Sequence, residues 1–267
     1  MAFDLDLAGR HAFVFGGTSG INLGIAEAFV REGMRVTVAS RKRENVDSAL
    51  ARLQGAGGEV HGCCADVRDV AAVDAALQEG VARFGAIDTL VSGAAGNFLC
   101  EARSMSPNGF KSVVDIDLIG TFHVLRMAFS HLRKPGASII SITAPQSTVP
   151  MRSQAHAAAA KAGVDQLTRV LALEWGEHGV RVNAISPGPI DGTEGFERLM
   201  GRDAAMRAAS IAYVPIKRLG TLADIADLAL FLASARSTYI SGAVIPCDGG
   251  GAVESVKPAL EAAAARL

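Results

Sequence analysis

Short apolar runs alternate with longer stretches in which apolar residues recur every three or four positions, and the alternation continues along nearly the whole chain. The first run, His11-Ala-Phe-Val-Phe15, leads into the glycine turn Gly16-Gly-Thr-Ser-Gly20-Ile-Asn22 and then a helical pattern from Leu23 to Val30. A second run, Arg35-Val-Thr-Val-Ala39, follows, and others predict strands near 58–63, 87–93, 137–143, 180–186 and 242–246. Helical periodicity falls between them, near 43–54, 68–84, 108–133, 153–178 and 222–234. Two helix starts are marked: Ser106-Pro107 offers a cap and then proline at the first helical position, and Thr221 precedes Leu222, Ile225, Leu228 and Phe231. Seven strands alternating with helices, without a linker or a break in composition, predict an α/β fold, one doubly wound parallel sheet with helices on both faces in a single domain.

Composition narrows the classes. At 267 residues, with 49% hydrophobic and 20% charged residues, the chain can bury one large core. A net charge of −1 argues against nucleic acid as partner. Cys63, Cys64, Cys100 and Cys247 lack C-x-x-C or metal-ligand spacing, and His61, His123 and His131 have no ligand constellation, so no metal is expected and the cysteines read as reduced, packed thiols. No apolar run reaches about 18 residues, and strand, turn and helix already occupy the first thirty, so neither a membrane span nor a cleaved signal is expected.

Ligands in doubly wound sheets bind outside the carboxyl ends of the strands, so the residues after each strand carry the chemistry. The turn Gly16, Gly17, Thr18, Ser19, Gly20 and Ile21 presents backbone amides at a helix start, suited to a pyrophosphate, although Asn22 replaces the third glycine of the common fingerprint and a structural turn stays an alternative. About twenty residues on, where an acidic side chain would accept a ribose 2′-hydroxyl, the chain has Ser40-Arg41-Lys42-Arg43. Cations there suit a 2′-phosphate and favour NADP(H) over NAD; the alternative is a solvated helix start. Asp66 after the third strand suits an adenine amino group or a helix cap, and the small residues of Ser92-Gly-Ala-Ala-Gly-Asn-Phe98, among them Ala94 and Gly96, permit close approach of a cofactor.

In order and spacing, the glycine turn, Asp66-Val67, Ala94-Ala-Gly96, Lys161, Pro187-Gly-Pro-Ile190 and Asp248-Gly-Gly250 resemble the short-chain dehydrogenase/reductase family along essentially the whole chain. The resemblance implies a Rossmann-like domain with a cofactor half over about 1–150 and a catalytic and substrate half over about 151–267. It also implies a nicotinamide cofactor and a homo-oligomer, usually a tetramer, built on the helices of 108–133 and 153–178. It further implies cofactor contacts from Pro187, Gly188, Ile190, Thr193 and Lys161. Most members use a serine, a tyrosine and a lysine, with the tyrosine one helical turn before the lysine. This chain has Ala157 at that place and Ala144 at the serine's, and its tyrosines, Tyr213 and Tyr239, come after the helix. Either the hydride acceptor needs no phenol, or the chain is a scaffold that binds cofactor without catalysis; a reductase of another activated enone or ketone is a further alternative.

Four segments resemble more narrowly the 2,4-dienoyl-CoA reductases, particularly the peroxisomal type: Ala94-Ala-Gly-Asn-Phe-Leu-Cys100, Asp115-Ile-Asp-Leu-Ile-Gly-Thr-Phe122, His156-Ala-Ala-Ala-Ala-Lys161 and Pro187-Gly-Pro-Ile-Asp-Gly-Thr-Glu-Gly195. That resemblance implies hydride delivery from NADPH to the far end of a dienoyl thioester and protonation of the α-carbon through a water held by Asp117 and Lys161. The blander accounts are a surface Lys161 paired with Asp165 and a buried Asp117 bonded to backbone. An acyl-CoA substrate would, by resemblance, meet Arg41, Arg68, Phe98, Ser106, Pro107, Asn108 and Arg198. Gln146 is either a hydrogen-bond donor to the thioester oxygen or a surface-loop residue. His156, about 140° around the helix from Lys161, is expected off the catalytic face. Phe196, Leu199 and Met200 suggest a short amphipathic helix closing over an acyl pocket. Cytoplasm is the expected location, with Ala265-Arg266-Leu267 approximating a peroxisomal address that would apply only in a eukaryote.

Overall fold

The computed structural model describes residues 4–197 and 203–253. Strands β1 (His11–Phe15), β2 (Arg35–Ser40), β3 (Val60–Cys64), β4 (Thr89–Ser92), β5 (Ser138–Ile142), β6 (Arg181–Pro187) and β7 (Val244–Cys247) form one parallel sheet in the order β3-β2-β1-β4-β5-β6-β7. The helices are α1 (Gly20–Arg31), α2 (Arg43–Gly55), α3 (Val70–Phe84), α4 (Pro107–Val114), α5 (Gly120–Ala128), α6 (Ala155–Gly176), the short α7 (Glu194–Phe196), α8 (Ala204–Tyr213) and α9 (Leu222–Ala233).

All five β1 residues are buried because both faces of the sheet are covered. Ala12 and Val14 pack with Ile25 and Phe29 of α1 and Ile225 and Ala229 of α9. Phe13 and Phe15 point the other way, into a second core with Leu77 of α3, Leu125 of α5 and Leu171 of α6. The two marked helix starts form as read. Ser106 accepts from the Gly109 amide at 3.0 Å with Pro107 at the first turn, and Thr221 and Asp224 close a reciprocal capping box.

Strand order reverses between β1 and β4, which opens a crevice above their carboxyl ends. The chain enters it through Gly16, whose φ of +75° is accessible without strain only to glycine and whose added Cβ would lie 2.9 Å from the Ala94 nitrogen. Asn22 bridges the same junction, donating to the Gly93 carbonyl at 2.8 Å, so the departure from three glycines ties α1 to the end of β4.

Two expectations need correction. The single helix read over 108–133 is interrupted: a π-helical segment, Asp115–Ile119, separates α4 from α5, and a 3-10 turn, Phe129–His131, ends the run. Apolar periodicity passes through such a bulge almost unchanged, so the sequence does not reveal it. Helix α8 was not anticipated. Of the lid residues, Phe196 is buried at the end of α7, whereas Leu199, Met200 and Arg198 lie outside the described residues, as does the terminal tripeptide.

Candidate active site

Asp117 sits in the π segment, where the extra residue per turn rotates it inward; it is 1% exposed. Thr121 donates its hydroxyl to the Asp117 carbonyl at 2.7 Å, an i to i+4 bond across the bulge. Lys161, on α6, is 7% exposed. Gly163 lets these helices approach, since a Cβ there would meet the Leu118 side chain at 2.7 Å; Gly120 instead lets the bulge pack on the loop after β3, where a Cβ would meet Val67 at 2.5 Å. With the helices so close, Lys161 Nζ lies 3.4 Å from Asp117 Oδ2 and donates to the Ile142 carbonyl at 3.0 Å. The other carboxylate oxygen of Asp117 accepts from the Gly96 amide at 2.7 Å. The loop after β4 and the end of β5 therefore converge on one buried ion pair. The surface pairing of Lys161 with Asp165 does not form; Asp165 is itself buried, and its oxygens have no hydrogen-bond partner among the described residues. The backbone-bonded Asp117 does occur, together with the ion pair rather than in place of it.

No phenol stands beside the pair. Ala157 is buried on α6, Tyr213 donates its hydroxyl to the Gly251 carbonyl at 2.6 Å, and Tyr239 is fully exposed. A cluster of amides lies along the wall instead. Gln154, 3% exposed, accepts from Asn97 at 3.0 Å and from Gln146 at 2.8 Å, leaving Asn97 Oδ1 and Gln146 Oε1 buried without partners among the described residues. Gln146 is thus not a free surface-loop residue. His156, expected off the catalytic face, lies under Phe98. It is fully buried, its ring centroid lies 4.4 Å from that of Phe98, and neither ring nitrogen has a hydrogen-bond partner among the described residues. Burial holds its imidazole below the usual value, against the opposing pull of the Asp117 charge.

The α1 end fits a dinucleotide phosphate. Ser19 caps α1 without a side-chain hydrogen bond, no acidic residue occupies the first turn, and space for a Cβ at Gly20 (φ +53°) is open as far as Thr193, 3.9 Å away. Amides left unsatisfied at a helix start favour an anion. Thr193 is the cap of α7 and donates to the Ile190 carbonyl at 2.9 Å. Gly188 owes its identity at least partly to packing, since a Cβ would strike Asp248 at 2.7 Å. Pro187 ends β6, and Ile190, 3% exposed, bridges to Gly220.

Beyond β2 and β3, Ser40 and exposed Arg41 stand near Asp66 and Arg68. Arg68 grips Asp66 with its guanidinium, Nη2 to Oδ2 at 2.6 Å, and this holds the carboxyl below its usual range. Residues assigned separately to adenine and to substrate therefore share one ion pair. Asn108 is exposed on α4 beside Ser106 and Pro107.

A family profile described as "Enoyl-(Acyl carrier protein) reductase" matches residues 16–251. The chain belongs to the short-chain dehydrogenase/reductase family. Members of this family are oxidoreductases, and this chain is one, with the family's nicotinamide-binding architecture. It is similar, at 44% identity over 91% of its length and 84% of the other, to a protein of Pongo abelii named "Peroxisomal 2,4-dienoyl-CoA reductase [(3E)-enoyl-CoA-producing]". It is 40% identical to a Bacillus subtilis protein named "Probable 2,4-dienoyl-CoA reductase [(2E)-enoyl-CoA-producing]", over 90% of this chain and 96% of that one. A crystal structure of a short chain dehydrogenase from Bacillus anthracis superposes with a TM-score of 0.82 at 34% identity, covering 92% of this chain and 97% of that one.

Sequence reasoning missed Gln154 because its partners come from two other loops. It also missed a cluster away from the family site: His61, expected to lack any ligand constellation, lies with Cys63 and Glu79. Alternation along β3 signals the first two; only packing against α3 supplies the third.

Proposed function

We propose that this protein reduces a conjugated acyl thioester, 2,4-dienoyl-CoA to 3-enoyl-CoA, with NADPH. The observation that carries the reading is the buried pair of Asp117 and Lys161, 3.4 Å apart, in a site whose tyrosine position is Ala157. A ketone reductase must protonate an alkoxide and needs an acid for it; a thioester-conjugated diene stabilises its own negative charge as a dienolate and needs only a proton at the α-carbon. NADPH, when bound, supplies the hydride. Lys161, fixed by the Ile142 carbonyl, places positive charge toward the dienolate oxygen. Asp117, held by the Gly96 amide, orients with Lys161 the water that delivers the proton. Gln146 donates a further hydrogen bond to the thioester oxygen, and the names of the relatives support the substrate class.

Preference for the 2′-phosphorylated cofactor rests on Ser40 and Arg41, whose guanidinium has no ion-pair partner among the described residues. The glycine turn from Gly16 to Ile21, with Ala94, Gly96, Pro187, Gly188, Ile190 and Thr193, surrounds the rest of the cofactor. Phe98, Arg68, Ser106, Pro107 and Asn108 line the approach for the acyl-CoA, and Arg198 joins them by resemblance.

The test is nicotinamide absorbance loss with 2,4-hexadienoyl-CoA, with the product's double bond located by NMR. Wild type should turn over with NADPH in preference to NADH and give the 3-enoyl thioester. Asp117→Asn should lose about 100-fold or more in turnover while NADPH affinity changes by a few-fold at most, and Lys161→Met should lose at least as much turnover together with weaker NADPH binding. NADPH binding without turnover of the dienoyl thioester would refute the substrate, and a 2-enoyl product would refute α-carbon protonation.

A further inference from the structure

Strand β3 alternates its side chains between two helices. A Cβ on Gly62 would meet Val46 and Leu50 of α2, so His61 and Cys63 face α3 on the opposite side. There Glu79 of α3 meets them: His61 Nε2 is 2.9 Å from Glu79 Oε1, and one donor atom from each of His61, Cys63 and Glu79 lies within 4.8 Å of the others. Cys63 donates weakly to the Ala76 carbonyl at 3.6 Å, a helical turn before Glu79. The thiol end is buried at 1% exposure, whereas the side chains of His61 and Glu79 are 25% and 57% exposed, so the cluster opens to solvent on one side.

We propose that His61, Cys63 and Glu79 form a zinc site that clamps the edge strand β3 to α3. Imidazole nitrogen, thiolate and carboxylate are the three ligand types of zinc sites, and a borderline-soft ion is selected because Mg²⁺ and Ca²⁺ prefer all-oxygen sets. Bonds of about 2.0–2.3 Å put tetrahedral ligand atoms about 3.3–3.8 Å apart. The exposed Glu79 side chain closes the remaining gap by rotation, and water takes the fourth position. Binding forms a Zn–S bond and releases the thiol proton to solvent, with no change in oxidation state. Because the ligands come from two elements, the ion stabilises only the folded chain.

The purified, metal-free full chain is titrated with Zn²⁺ against a chromogenic zinc chelator, and with Co²⁺ as a spectroscopic stand-in. One equivalent of zinc should bind with a rise in melting temperature. His61→Ala and Glu79→Gln should weaken binding at least tenfold, and Cys64→Ser should leave it unchanged. Bound Co²⁺ should show thiolate-to-metal charge transfer that Cys63→Ser abolishes. Equal zinc affinity in wild type and His61→Ala, or bound Co²⁺ without the thiolate band, overturns the proposal. His61 and Glu79 lie on the open side, so their variants decide the question even if the buried Cys63→Ser fails to fold.

Discussion

Lys161 has two acceptors, the Ile142 carbonyl and the Asp117 carboxylate, and backbone holds both: the first directly, the second through the Gly96 amide. Neither charge can leave without stranding the other, since an unpaired buried charge costs several kcal/mol. The amide wall is held in the same way by one atom, Gln154 Oε1, which receives hydrogen bonds from Asn97 and Gln146. Gln154→Leu should therefore leave two buried donors unsatisfied, each costing about 1–3 kcal/mol, and lower the melting temperature. Turnover should also fall about tenfold at saturating substrate with NADPH affinity intact, measured by calorimetry and steady-state kinetics. Unchanged turnover in a folded variant would remove the amides from the proposed mechanism. Asp117 and Lys161 were legible as letters at characteristic places in the sequence. Gln154 was not, because its partners stand 57 and 8 residues away and only the loops after β4 and β5 bring them to it.

At the scale of elements, the helix crossing sets the separation of Asp117 and Lys161. Gly163→Val would drive α6 from Leu118, so it should cost about 1–3 kcal/mol of stability. The pair should move apart, and turnover should drop with it; a variant equally active and equally stable would show the contact to be unimportant. Strand β1 is pinned by His11, which donates from Nδ1 to the Gly85 carbonyl at 2.9 Å and accepts at Nε2 from Thr37 at 3.0 Å. Burial lowers its pKa from 6.5 to about 4, overcoming the Gly85 carbonyl and the Asp88 carboxylate, with Arg35 and His61 acting in the same direction as burial. An unfolded chain takes up this proton below pH 6.5 and the folded one resists it until about 4, so stability is full above 6.5 and is lost as pH falls through that window. The loss reaches on the order of 3 kcal/mol near pH 4. Urea unfolding across the window should be steeper in pH for wild type than for His11→Asn, and parallel curves would contradict the assignment. The same elements show where sequence reading stops: caps at Ser106 and Thr221 are local and were read correctly, whereas the π segment carrying Asp117 leaves the apolar pattern intact.

Across the whole molecule, a cleft between α5 and α6 is lined by Phe122, Arg126, Phe129, Leu171, Glu174 and Trp175, and Leu173 beside it is 84% exposed. These are the helices on which a homo-oligomer was expected. Light scattering should give a multiple of the chain mass, a tetramer, and Phe122→Glu with Leu173→Glu should reduce it; a monomeric wild type would refute the expected assembly. Among the described residues, no helix is long and apolar enough to cross a membrane. The sequence by itself determined the seven strands, most of the helices between them, the covered parallel sheet and the glycine turn, because periodicity, caps and glycine conformations are properties of neighbouring residues. Tertiary structure alone decided that Asp117 turns inward, that His156 lies under Phe98, that Gln154 joins two loops and that Glu79 completes a cluster with His61 and Cys63. Each depends on elements distant in sequence meeting at a separation set by how closely their glycines and small side chains let them pack.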